Sequence, residues 1–201
     1  MCILRRGKTF LYKIHPVCSE AFSSQDYYII AACADNYKHL IGVNTAINAE
    51  DFFAKCLAKT LTEDDFDFIK NGQSEAAVKG SVRRKIKVLP DFLSMLNKPL
   101  VAEERFVKNK VSCTFATTDK RVTVGYITVG KSRPKTLLKG DELETTKSRK
   151  VELILRRPSG EELFNEIVYG GMDVIAKYKA KIKQLLTEDL LANEITDMTL
   201  T

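Results

Sequence analysis

The sequence predicts an α+β fold: an N-terminal helical half, then a small, mainly antiparallel β-sheet, then a long C-terminal helix. Three observations predict it. Apolar residues recur at helical spacing between residues 48 and 96, alternate in twos between 106 and 169, and return to helical spacing from 174 to 186. At 201 residues, with 44% hydrophobic and 29% charged side chains, the chain can bury a real core and lies outside the disordered, collagenous and coiled-coil classes.

Taken in order, residues 9–17 read as a strand limited by Pro16, and 19–25 as a loop or short helix. His15 precedes a proline and is expected to be an extended loop residue with no function. Residues 27–34 (YYIIAACA) read as a strand, Asp35-Asn36 as turn chemistry, and 38–43 (KHLIGV) as the second arm of a hairpin. On such an arm His39, Ile41 and Val43 share a face. His39 is then either a packed core histidine or an active-site group near the turn.

Asn48 is a plausible N-cap for a helix carrying Phe52, Phe53, Cys56, Leu57 and Leu61. Thr62 and Asp65 have capping-box spacing for a further short helix through 66–69, ended by Lys70-Asn71-Gly72. A third helix is expected to bury Val82, Ile86 and Leu89, with Arg83 and Lys87 on an exposed flank and Arg84 and Lys85 on other faces. Pro90 either kinks it or opens a new helix before Phe92, Leu93 and Leu96.

Residues 106–115 and 122–127 then read as one hairpin and 151–156 with 163–169 as a second, joined by a polar, basic connection over 131–149 that holds only Leu137-Leu138 as an apolar pair. After Gly170-Gly171, Val174, Ile175, Tyr178, Ile182, Leu185 and Leu186 mark the final helix, whose lysines read as solubilising.

Several functions are excluded or weakened. No apolar run is long enough to span a bilayer, and MCILRRGKTFLYK is a poor signal peptide, so a cytoplasmic location is expected. Cys2, Cys18, Cys33, Cys56 and Cys113 are odd in number and scattered, as reduced thiols are. There is no P-loop, dinucleotide fingerprint, serine-esterase elbow or zinc-protease motif. With two isolated histidines and scattered acids, neither a metal site nor a cofactor is expected.

The net charge of +6 is moderate, but it is unevenly spread. Residues 79–87 (KGSVRRKIK) hold five bases and no acid, whereas 50–67 lean acidic. A basic face suits phosphates, although a solvated helix face has the same composition. RNA carries its own nucleophile, the 2′-hydroxyl. Cleaving it needs only a proton acceptor, a proton donor and cations around the transition state, all of which organic side chains supply.

A family resemblance joins these pieces. KHLIGV after a tyrosine-rich strand, FFAKCL, VRRKIKVLPDFL, RPKTLLKGDEL and VELILRRPSGEELFNEIVYG resemble the phage and mobile-element branch of the barnase/EndoU/colicin/RelE-like nuclease superfamily. The similarity covers residues 27–170, leaving 1–26 as an N-terminal extension and 171–201 as a helix packed on the domain or extending from it. It implies helices followed by an antiparallel sheet, and metal-independent RNA cleavage by transesterification. It carries a site onto His39, onto Arg83 and Arg84 of the basic helix, and onto Lys135 and Thr136 of the following loop. Ile41 stands where the family has a small hydroxyl residue, which leaves an inactive member open.

The expected site thus has His39 as general acid or base, Arg84 and Lys135 as transition-state cations, Thr136 as a phosphate donor, and Arg83, Lys85, Lys110, Tyr126, Arg133 and Lys139 as substrate contacts. Tyr126 would stack on a base or else belong to the core. The expected partner is RNA, with an antitoxin or host protein as a further candidate and no membrane. The alternatives are a non-catalytic module binding nucleic acid or protein on the same fold, and a structural or regulatory domain of a larger mobile-element protein.

Overall fold

The computed structural model describes residues 13–197. Its first elements are strands. β1 (Lys13–Ser19) and β2 (Tyr28–Ala31) pair antiparallel, which puts His15 inside a strand and buries it, contrary to the loop expected there. Three helices follow: α1 (Ala34–Ile41), α2 (Ala49–Ala58) and α3 (Glu75–Met95). The chain then builds β3 (Val101–Glu104), β4 (Val107–Lys108), β5 (Val111–Ser112), β6 (Phe115–Thr118), β7 (Val122–Val129), β8 (Lys131–Lys139), β9 (Arg149–Pro158) and β10 (Glu166–Tyr169). It ends with α4 (Met172–Ile182) and α5 (Glu188–Asp197).

This is not the architecture expected from sequence. The sheet is large rather than small: eight strands in the order β1-β2-β8-β7-β6-β3-β9-β10, closed by pairing of β1 with β9. Two of those strands precede the helices. All pairs are antiparallel except β2 with β8. Nor is there one long C-terminal helix. Backbone bonds from Phe164 N–H to the Leu185 carbonyl and from Thr187 N–H to the Phe164 carbonyl take the chain out of helical pairing, and a 3₁₀ turn (Lys183–Leu185) separates α4 from α5.

The strand expected at 38–43 is the helix α1, because local caps outweigh its β-branched content. The Cys33 N–H donates to Asn36 Oδ1 at 2.9 Å, closing the first turn, and Gly42 ends the helix at φ +79° with its N–H on the Lys38 carbonyl. Asp35 and Asn36, read as turn residues, are that first turn. Asn48 does cap α2, accepting from Asp51 N–H at 2.9 Å. Thr62 and Asp65 form a capping box over a 3₁₀ turn (Glu63–Asp65) only, and no helix follows through 66–69. α3 runs unbroken through Pro90.

The strand expected over 106–115 is interrupted by left-handed Arg105, Asn109 and Lys110, which turn the chain through the small β4–β5 hairpin. The basic connection contains a full strand, β8. Its inward positions are Ser132, Pro134 and Leu137, too polar a set to announce a core strand by hydropathy.

The sheet wraps the C-terminal half of α3. Leu89, Phe92, Met95 and Leu96 pack against Val17, Ile30, Val124, Leu137 and Ile154. Inside this core Tyr28, Phe115 and Tyr126 stack in series, with ring centroids 4.3 and 4.7 Å apart. α4 covers the outer face, setting Ile175, Tyr178 and Ile182 on Cys18, Leu153 and Leu155. A smaller cluster of Ile41, Phe52, Val78 and Val82 joins α1, α2 and the N-terminal half of α3. Among the described residues no helix is long and apolar enough to cross a membrane.

Candidate nucleic-acid interface

The basic helix α3 positions its charges differently from expectation. Val78, Val82, Leu89 and Phe92 are buried, and at 100° per residue the stripe they define passes through Lys85, which is half-buried; Ile86 is 40% exposed. Arg83 and Arg84 project to opposite flanks of that stripe, both exposed. Arg84 lies along its own helix, its Nη1 3.7 Å from where a Cβ on Gly80 would be.

His39 is exposed on the last turn of α1. Cations meet both ends of that helix. At its start Asp35 accepts from Arg133 Nη1 of β8 at 3.0 Å, and Asp35 and His39, four residues apart, share a flank. At its end a Cβ added to Gly42 would lie 3.0 Å from Lys85 Nζ and 3.3 Å from Lys70 Nζ. The two ammonium groups therefore share one hollow, and among the described residues neither has a carboxylate partner. Burial, and then Lys70, push the Lys85 ammonium below the usual lysine range. Among the described residues no hydrogen bond orients the His39 ring.

The remaining site residues are spread over the sheet. Lys135 falls at a β-bulge in β8, where Gly125 pairs with Thr136 and Tyr126 with Pro134; its Nζ donates to the Ser112 carbonyl at 2.9 Å. Thr136 is half-buried, its Cγ2 only 2.8 Å from where a Cβ on Gly125 would be. Lys110 is exposed in the β4–β5 turn and Lys139 at the end of β8. Among the described residues no hydrogen bond or ion pair joins His39, Arg84 and Lys135. Tyr126 must be corrected: it is 0% exposed, stacked on Phe115 with its hydroxyl 3.3 Å from Thr117 Oγ1, so its ring cannot receive a base.

Sequence reading missed Lys70, Gly42 and Asp35, and a groove of about 760 Å³ that takes in Ile41 and Val43 at the end of α1. Tyr37, Ile41, Val43, Phe52, Phe66, Phe68, Ile69, Val82 and Ile86 line it, and its charged lining is mixed, Lys79 and Arg83 with Glu63, Asp67 and Glu75. Lys70 had looked like part of a helix stop. It left no signal, because it reaches Gly42 and Lys85 only through the fold of the segment before α3, which bridges Asp67 to Asn44 just after α1.

A family model matches residues 7–171, under the description phage-Barnase-EndoU-ColicinE5/D-RelE like nuclease4, PBECR4. The chain belongs to the PBECR4 family. It is thus a phage-associated nuclease by family, with nucleic acid as its substrate class. The PBECR4 match takes in β1 to β10 and the three N-terminal helices, including the stretch before residue 27. No curated protein and no solved structure matches the chain.

Within PBECR4 membership the basic segment of α3 acquires weight as a contact surface. Among the described residues Arg83, Arg84 and Lys85 have no acid partner, whereas Lys177 and Lys181 of α4 are tied to Glu20, Glu152 and Asp26. Among the described residues no disulfide joins the cysteines, and burial pushes the Cys18 thiol up to about 12 and raises the Cys113 thiol as well.

Proposed function

We propose that this PBECR4 protein is an endoribonuclease that works without a metal, a phage or mobile-element effector or toxin acting in the cytoplasm. A base takes the 2′-hydroxyl proton, the 2′-oxygen attacks the adjacent phosphorus, and the 5′-oxygen leaves with a proton, giving a 2′,3′-cyclic phosphate and a 5′-hydroxyl. His39 serves as general acid or base. Arg84 and Lys135 stabilise the transition-state charge, Thr136 donates to the phosphate, and Arg83, Lys85, Lys110, Arg133 and Lys139 hold the strand.

The observation that carries this reading is the placement of α1: an exposed histidine on a helix met by Arg133 at one end and by Lys85 at the other. Total RNA incubated with the protein in EDTA should acquire 2′,3′-cyclic phosphate ends. His39→Ala should slow cleavage by about 10²-fold or more and change stability by no more than about 0.5 kcal/mol, as surface substitutions do. Unchanged cleavage by that variant removes His39 from the chemistry.

A non-catalytic nucleic-acid-binding module is the second reading, favoured by the unoriented His39 ring. It predicts salt-sensitive RNA binding with no new ends in the same assay.

A further inference from the structure

The groove and the lysine hollow adjoin. Ile41 and Val43, which line the groove, bracket Gly42, on which the two ammonium groups converge. One short segment supplies both features: Phe66 and Phe68 face the groove, edge to face at 5.6 Å, and Lys70 reaches the hollow. The Lys79 ammonium lies 5.1 Å from the centre of the Phe68 ring and is paired with Glu75 at 2.5 Å, so that wall is aromatic with its charge balanced, and among the described residues beside it the unpaired ammonium groups are those of the hollow.

We propose that this is a nucleotide-binding cleft, in which the aromatic groove receives an unpaired base of the strand while Lys70 and Lys85 hold its phosphate. It rests on the nuclease reading only for the class of substrate.

An apolar peptide would fill the groove but would leave two adjacent ammonium groups unneutralised. A nucleotide brings a flat apolar face and an anion at a fixed separation, which is the pair of features the cleft offers. Only an unpaired base fits, because a base within a duplex shows its edges and not its faces. Gly42 is required twice, for its left-handed backbone and because a side chain there would occupy the place of the phosphate.

The test uses a 2′-O-methyl oligonucleotide, which cannot be cleaved by its own 2′-oxygen, so binding is read apart from chemistry. By fluorescence anisotropy the single strand should bind at least about tenfold more tightly than the same sequence in a duplex, and removing one base from it should weaken binding about tenfold, the scale of one stacked base. Lys70→Glu and Lys85→Met should each weaken binding about tenfold, and Lys85→Met should lower the salt slope by about 0.7, the share of one phosphate contact. Circular dichroism and thermal melting establish that both variants are folded.

Equal affinity for single strand and duplex, or unchanged affinity in both folded variants, overturns the cleft; a groove reserved for a protein partner gives the second result. Failure of the nuclease reading looks different: the oligonucleotide binds as described, yet RNA in EDTA gains no cyclic ends.

Discussion

The two halves of α3 lie in opposite surroundings. Its C-terminal half is enclosed by the sheet, with Leu89, Phe92, Met95 and Leu96 all 3% exposed or less. Its N-terminal half places Lys85 in the same inward stripe and borders an open groove where Ile86 is 40% and nearby Ile69 71% exposed. One helix thus anchors the fold at one end and leaves apolar surface and unmatched charge at the other. Uncompensated burial of charge lowers stability, so a feature of this kind points to binding rather than to folding.

The largest effect should come from breaking the enclosed half. Phe92→Ala removes a ring that is 2% exposed and should cost about 3–5 kcal/mol in denaturant unfolding. Phe68→Ala, in the half-buried wall of the groove, should cost about 1 kcal/mol. Similar losses at the two positions would erase the contrast.

A middle-sized effect belongs to Glu104, which fastens the loop after β1 to the sheet. Its carboxylate accepts from Ser23 N–H at 3.0 Å, Ser23 Oγ at 2.7 Å, Ser24 N–H at 3.1 Å and the Tyr28 hydroxyl at 2.6 Å. Burial raises the carboxyl, but these donors outweigh it and hold the group at about 2, against an ordinary 4.5. A depressed carboxyl contributes stability above its unfolded value and loses it on acidification. Between about pH 4.5 and 2 the wild type should therefore lose stability that Glu104→Gln has already lost. At neutral pH the variant should be less stable by about 1.5–3 kcal/mol.

The smallest effect on stability, and opposite in sign, is expected for Lys85→Met. Its folded value lies below that of the unfolded chain, so the charged form destabilises the fold, and the penalty is relieved as pH rises through the lowered value. The variant should melt at or slightly above the wild-type temperature, without that alkaline gain. A marked loss of stability would make Lys85 a structural residue.

Much of the local structure was legible because it depends on near neighbours. The Asn48 cap needs only Asp51, and the strand-forming residues of β7 and β9 follow one another directly in the chain. The errors fell where near neighbours were outvoted or silent. KHLIGV has strand-like residues but helix-like ends, and the caps at Cys33 and Gly42 prevailed. β8 was hidden because serine and proline fill its inward positions, acceptable only where α1 and α3 pack over the strand.

From its sequence alone the protein is legible as a basic chain of one nuclease family, with His39 and the 79–87 bases as its distinctive groups. Tertiary structure decided where those groups stand: Tyr126 in the core, Lys85 on the inward stripe, Lys70 beside it, and a groove against both. The reason is physical. Residue type sets what a side chain can do over a few bonds, but the meeting of two like charges, one on a helix and one on the segment before it, depends on how distant parts of the chain pack, and no local pattern encodes that.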